Sequence, residues 1–202
     1  LVHDYRGIVG AGSTYLERSA QQRRLMERWI DASDRGEALD LDRIRAFTIE
    51  FFEVEDPAWA QSVAELSAHE LFTEPLGGER QPEGSITFQQ LVASGDLKLI
   101  RSQRLRGALA RRNALREEAI RAIAVNNGLA PSLLGSAFIR PTFQAASPNA
   151  RIVLEAALAD PDFVLGLRGF YGLRLYNESW FQRVHTESER VLAILEEEVG
   201  NP

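Results

Sequence analysis

Apolar residues recur at spacings of three and four along most of the chain, the signature of helices with one buried face. Between Val2 and about Asp34 they fall at Tyr5, Ile8, Val9, Tyr15, Leu16, Met26, Trp29 and Ile30, which predicts one long first helix weakened by Gly7, Gly10 and Gly12. Gly36 is its expected terminator. Asp40 can cap a shorter helix through Phe52, with Leu41, Ile44, Phe47 and Phe51 on one side. Asp56 before Pro57 is a cap followed by proline at the first helical position, and it starts a further helix to about Phe72. The tract "TEPLGGERQPEG" then breaks the pattern.

Ser85 is the expected cap of a helix that stops at Gly95 in a left-handed turn, and "DLKLI" is expected to pack Leu97, Leu99 and Ile100 into that turn. Ser102 starts an arginine-rich helix that reaches "NNG" at Asn126 to Gly128. From Leu129 to Ala146 the pattern is loose, and Pro131 and Pro141 restrict it to short helical pieces or loop. Ser147 with Pro148, and Asp160 with Pro161, repeat the cap-proline device. The second opens a long last helix to about Val199, whose stripe is read as Leu173, Tyr176, Trp180, Val184, Val191, Leu195 and Val199. No sustained period-two run of β-branched residues supports a sheet. The expectation is one all-α domain over residues 1–202, a helical bundle in which long N- and C-terminal helices pack on a central helical hairpin.

Composition narrows the setting. Hydrophobic residues make up 45% of 202, enough for a core, and the net charge of −6 argues against general attraction to nucleic acid. Of 23 basic residues only Lys98 is lysine, a bias towards fixed, fork-shaped contacts with carboxylate or phosphate. With no cysteine there is no disulfide, thiolate metal site or thiol nucleophile. The chain begins at Leu1 and its single methionine is Met26, which reads as a product whose native start lies upstream. No apolar run reaches the roughly 18 to 20 residues that span a bilayer.

The central segment carries an aromatic start, a Ser-Gly break, an "LxLI" turn and "LRxAL", here Phe88, Ser94, Gly95, Leu97, Leu99, Ile100, Leu105, Arg106, Ala108 and Leu109. With the long first helix and "DPDFVLGLRGFYGLRLYNESWF", this resembles a bacterial membrane-anchored family of unknown function. In that family a hydrophobic N-terminal helix precedes an extracytoplasmic helical domain. The hairpin matches well, both flanks match loosely, and Val125 to Pro148 departs. The resemblance implies an anchor before Leu1, an inner-membrane location and a periplasmic domain. It brings no catalytic residues. Aromatic residues are common in that family around the position of Arg112, so the arginine is a departure.

That departure matters because Leu105, Leu109, Arg112, Arg116, Ala119 and Ile123 follow one ridge. A buried guanidinium without partners is too costly to persist. The first expectation is an ion pair with Glu178, Glu187 or Glu189 of the last helix; the sharper alternative is a pocket for a small anion. Arg101, Arg104 and Arg111 would add surrounding positive potential. "HELFT" from His69 lacks the second histidine of a zinc-protease helix, having Thr73 there. "DASDRGEALDLD" from Asp31 has the ends of a calcium loop but Arg35 and Leu39 where oxygens are needed. Gly166, Gly169 and Gly172 follow no strand, so close helix packing or a kink explains them better than a phosphate loop. Scattered His3, His69 and His185 form no metal set, no serine sits in a nucleophile elbow, and acid pairs such as Glu50 with Glu53 are routine on helices. The sequence therefore calls for no cofactor, metal or catalytic residue. It points to a non-enzymatic sensing or interaction module with a small anion or a protein as partner, and alternatively to a structural self-assembly module joined to another copy.

Overall fold

The computed structural model describes residues 1–37, 42–43, 46, 49–50, 81–134 and 160–200. Its elements are α1 (Val2–Asp34), α2 (Ile86–Ala93), a 3-10 turn (Asp96–Leu99), α3 (Gln103–Leu134) and α4 (Pro161–Gly200). Among the described residues there is no strand, and the fold is an all-α bundle. The helices expected after Asp40, Asp56 and Ser147, and the "HELFT" segment, lie outside the described residues apart from short pieces near 42–50.

Local chemistry sets the helix ends. Gly36 takes φ 74°, its N–H bonds Ser33 at 2.9 Å and the Glu37 N–H bonds Ala32 at 3.0 Å, the paired bonds of a left-handed helix stop. Gly95, also at φ 74°, ends α2 in the same conformation. Ser85 Oγ accepts from the Phe88 N–H at 3.0 Å, Ser102 Oγ from Leu105 at 3.1 Å, and Asp160 Oδ1 from Asp162 at 3.0 Å. Each cap satisfies one donor that the first helical turn leaves open.

Two boundaries differ from the sequence reading. Gly128 is not among the positive-φ glycines, so "NNG" does not terminate α3, which continues through Pro131 to Leu134. Leu99 is 68% exposed, because the turn after Gly95 is a tight 3-10 helix that points only Leu97 and Ile100 at the core.

The chain groups into two compact units: Leu1–Arg18, Arg80–Val125 and Tyr176–Pro202 form unit 1, and Ser19–Glu79 and Asn126–Leu175 form unit 2. In unit 1, α1 runs antiparallel to α4, as Arg6 with Glu196 (2.9 Å) and Tyr15 with Phe181 (ring centroids 4.1 Å apart) show. Its core joins Tyr5, Phe88, Leu105, Ala108, Leu109, Val191, Ile194 and Leu195, with Leu97 and Ile100 packed alongside. Burying each large apolar side chain contributes roughly 1.5–3 kcal/mol. Asp4 ties α1 to the start of α2: its Oδ2 accepts from Ser85 Oγ at 2.9 Å and from the Thr87 N–H at 3.2 Å. Hydrogen bonding by Thr87 and then Ser85 holds its carboxyl below the ordinary value.

In unit 2, α1 and α4 again run antiparallel, with Arg168 on Asp34, the Tyr171 hydroxyl donating to Glu27 Oε1, and Arg174 Nη2 donating to Gln22 Oε1 at 2.5 Å. Burial and the Glu27 bond push the Tyr171 phenol up. Leu25, Met26, Trp29, Ala32, Phe163, Leu167 and Phe170 are buried there.

Beside Gly166, His185 and Ile194, which are buried too, α4 carries a buried series of Phe163, Leu167, Phe170, Arg174, Asn177, Phe181, Val184, Ser188, Val191 and Leu195. They alternate at four and three, a heptad seam. The stripe read from sequence shares Val184, Val191 and Leu195 with it, but Tyr176 and Val199 are exposed and Arg174, Asn177 and Ser188 hold the seam instead. Gly172 is open: a methyl group added there would meet nothing within 4 Å, so close packing does not explain it.

Candidate functional site

The ridge of α3 carries Arg112 into unit 1, where it is 2% exposed. Its guanidinium meets neutral oxygens. Nε donates to Ser188 Oγ at 3.0 Å, Nη2 donates to the Glu83 carbonyl, and the group lies 5.7 Å from the Tyr5 ring centroid, within cation–π range. Half-buried Arg116 donates from Nε to the Pro82 carbonyl at 2.9 Å. The two arginines thus hold successive carbonyls of the extended segment before Ser85, groups that no helix ladder satisfies.

Two of the three carboxylates expected to meet these arginines do not: Glu187 pairs with Arg190 at 3.6 Å and Glu189 approaches His185 at 3.5 Å. Among the described residues neither Arg112 nor Arg116 forms an ion pair with a side chain. Burial pulls the Arg112 pKa down, opposed by Tyr5, aided by Arg116 and opposed by Glu83, yet an arginine starts so high that it stays charged near neutrality. Burial likewise pushes the Tyr5 phenol up, with Arg112 opposing.

A small half-open cleft, with room below its mouth for about one water-sized group, borders this charge. Its lining mixes apolar Ile8, Ala11, Phe181 and Val184 with polar Arg112, His185 and Ser188 and with Gly12, Pro82 and Glu83. Gly12 lets α1 approach α4: a methyl group there would stand 2.5 Å from His185 Nδ1. Ser188 is fully committed, accepting from Arg112 and donating to the Val184 carbonyl at 2.8 Å. Arg112 uses two of its five N–H groups, and the other three have no partner among the described residues.

His185, 8% exposed, brings a serine and an acid together, since its Nε2 lies 3.4 Å from Ser13 Oγ and 3.5 Å from Glu189 Oε1. This is not a catalytic triad. In a triad the acid and the nucleophile occupy opposite ring nitrogens, whereas here both contacts compete for one, at lengths typical of weak hydrogen bonds.

Of the sequence candidates, Arg112 and Arg116 share the cleft's neighbourhood and Arg101 is exposed and away from it. Arg104 pairs with Glu197 at 2.7 Å on the surface, and Arg111 is exposed. Gly12, Ser13, His185, Ser188 and the Pro82 and Glu83 carbonyls were not legible as parts of one site. The only signal was the heptad series Tyr5, Ile8, Gly12 in α1 and Phe181, Val184, Ser188 in α4. His3 is exposed and roughly 13 Å along α1 from Gly12. In the calcium-like stretch, Asp34 faces Arg168 and Glu37 faces Arg35 and Arg43. Among the described residues no three histidines or acids converge as a metal set. No known family profile matches the chain, and no curated protein or solved structure is similar to it.

Proposed function

We propose that the protein is a non-enzymatic sensing or interaction module whose unit 1 binds a small anion beside Arg112. The observation that carries this is a guanidinium only 2% exposed whose partners among the described residues are neutral, lying at the edge of a cleft. A buried positive charge that no side-chain carboxylate bonds among the described residues, with Glu83 acting on it only through space, favours an anion from solution, because the desolvation it has suffered is offset when one binds. In the same reading the module stands outside the cytoplasm on an anchor that is not part of these residues, supported by the motif from Phe88 to Leu109; among the described residues no helix is long and apolar enough to cross a membrane.

Calorimetric titration of the protein with a panel of sodium salts at constant ionic strength tests it. Saturable heat from at least one anion, lost in the double variant Arg112→Ala with Arg116→Ala while circular dichroism shows the helices intact, is the expected result. A response that survives both substitutions contradicts the reading.

Self-assembly is a second reading, favoured by exposed Ile86 and Val92 on α2 and Leu99 beside them. Light scattering over a concentration series separates it, since a strict monomer excludes it.

A further inference from the structure

The cleft beside Arg112 has room for about one water-sized group, so a single-atom anion can enter it as it stands and an oxyanion cannot. Part of its wall, however, is not helix. Pro82 and Glu83 line it from the extended strap of residues 81–84, and the same two residues give their carbonyls to Arg116 Nε (2.9 Å) and Arg112 Nη2. Arg112 and Arg116 lie one turn apart on one ridge of α3, close enough for one small oxyanion to bridge them. The strap's carbonyls therefore stand where the oxygens of such an anion would stand.

The strap is held unevenly along its length. At its end Ser85 Oγ donates to Asp4 Oδ2 at 2.9 Å, the Thr87 N–H reaches the same oxygen at 3.2 Å, and α2 begins. Ahead of Ser85 it is tied to α3 through the two arginine contacts. Gly84 lets it lie against one of them: an added Cβ would stand 3.1 Å from Arg116 Cζ and 3.0 Å from Gln89 Nε2, tighter than ordinary contact.

The surrounding charges favour an exchange. On α3, Glu117 accepts from Asn113 and Glu118 is exposed; on α4, Glu187 pairs with Arg190 and Glu189 approaches His185; on α1, Asp4 is engaged by Ser85 and Thr87. Among these carboxyls and that of Glu83, it is Glu83 that acts on Arg112, and Glu83 rides on the strap. Lifting the strap thus takes two carbonyls and one negative charge from the arginines together. Alone, that open state is unfavourable and rare; an anion that supplies oxygens to both guanidinium groups stabilises it.

We propose that residues 81–84 are a displaceable latch: an oxyanion bridging Arg112 and Arg116 takes the place of the Pro82 and Glu83 carbonyls, and the strap swings out about Ser85. This rests on the anion reading above and adds how the site opens and which shape change a sensing module would transmit.

The chain has no cysteine, so spin labels can be placed at the exposed positions Gln81→Cys and Ala114→Cys, and their separation read by pulsed electron resonance in the whole chain beside calorimetry. Sodium sulfate and sodium phosphate are the probes and sodium chloride the control, at constant ionic strength. Sulfate or phosphate is expected to move the labels to a longer distance along its calorimetric saturation curve, while chloride leaves them in place. Gly84→Ala, which crowds the docked strap, is expected to tighten that oxyanion about threefold or more, because less of the binding free energy goes into opening. An anion that saturates through Arg112 and Arg116 with the label distance unchanged, or that binds Gly84→Ala no more tightly, overturns the latch and leaves the anion reading standing. Heat that survives Arg112→Ala with Arg116→Ala, or saturation by none of the three salts, overturns both.

Discussion

Arg112 in unit 1 and Arg174 in unit 2 occupy equivalent kinds of place, a seam position of a long helix, 2% and 3% exposed, yet they are matched differently. Arg174 meets a side chain on the facing helix, Gln22, and its neighbours Tyr171 and Arg168 meet Glu27 and Asp34. In these three contacts the partners are side chains, two of them acids. Arg112 is matched by a backbone carbonyl, a hydroxyl and an aromatic face, and none of these carries negative charge. Both guanidinium groups thus bond neutral oxygens, and the difference lies around them: Arg174 stands near pairs completed by Glu27 and Asp34, whereas Arg112 borders a cleft.

The largest expected effect that probes this contrast is Arg112→Ala. It strips the Glu83 carbonyl and Ser188 of a donor and opens a void, for a loss of about 2–4 kcal/mol in urea unfolding, of which Arg112→Met restores a substantial part by refilling the volume without a charge. If Arg112→Met is as damaging as Arg112→Ala, the charge itself holds the fold together and the contrast with Arg174 fails.

Next in size is Asp4→Asn, expected to cost less than about 1 kcal/mol at pH 7, as the bonds from Thr87 and Ser85 lose the carboxylate's charge where solvent already screens it. Because the folded carboxyl lies below its ordinary value of 3.8, its contribution is present above that pH and is lost as pH falls through the lower folded value. Wild type and variant should therefore converge in stability in strong acid. A gap that persists there shows that Asp4 acts by shape alone. The smallest effect belongs to the exposed pair of Arg6 and Glu196, where Arg6→Ala is expected to shift stability by less than about 0.5 kcal/mol and to matter less still at high salt.

Much of the fold was legible in the sequence because its boundaries are chemical. Gly36 and Gly95 stop helices where only glycine is at ease, and Ser85, Ser102 and Asp160 start them by capping open N–H groups. What misled was polarity in the seam. Arg174, Asn177 and Ser188 stand where a hydrophobic stripe should run, so tracing apolar residues drifts onto exposed Tyr176 and Val199. "NNG" failed as a stop because Gly128 keeps a negative φ and buried Asn126 is held at 8% exposure within the helix.

The site was half legible for a related reason. Arg112 declared itself by interrupting a leucine ridge, a rule violation visible in one helix. Its partners could not, because the Pro82 and Glu83 carbonyls have no side-chain signature, and Gly12 and His185 gain meaning only when α1 and α4 are brought together.

The most direct test of the account is a crystal of the protein soaked in sodium bromide and measured at the bromine absorption edge. An anomalous peak within hydrogen-bonding distance of the Arg112 guanidinium is predicted, since a monoanion should occupy the uncompensated charge. A carboxylate side chain of the protein seated on that guanidinium, with no peak in the cleft, would contradict it.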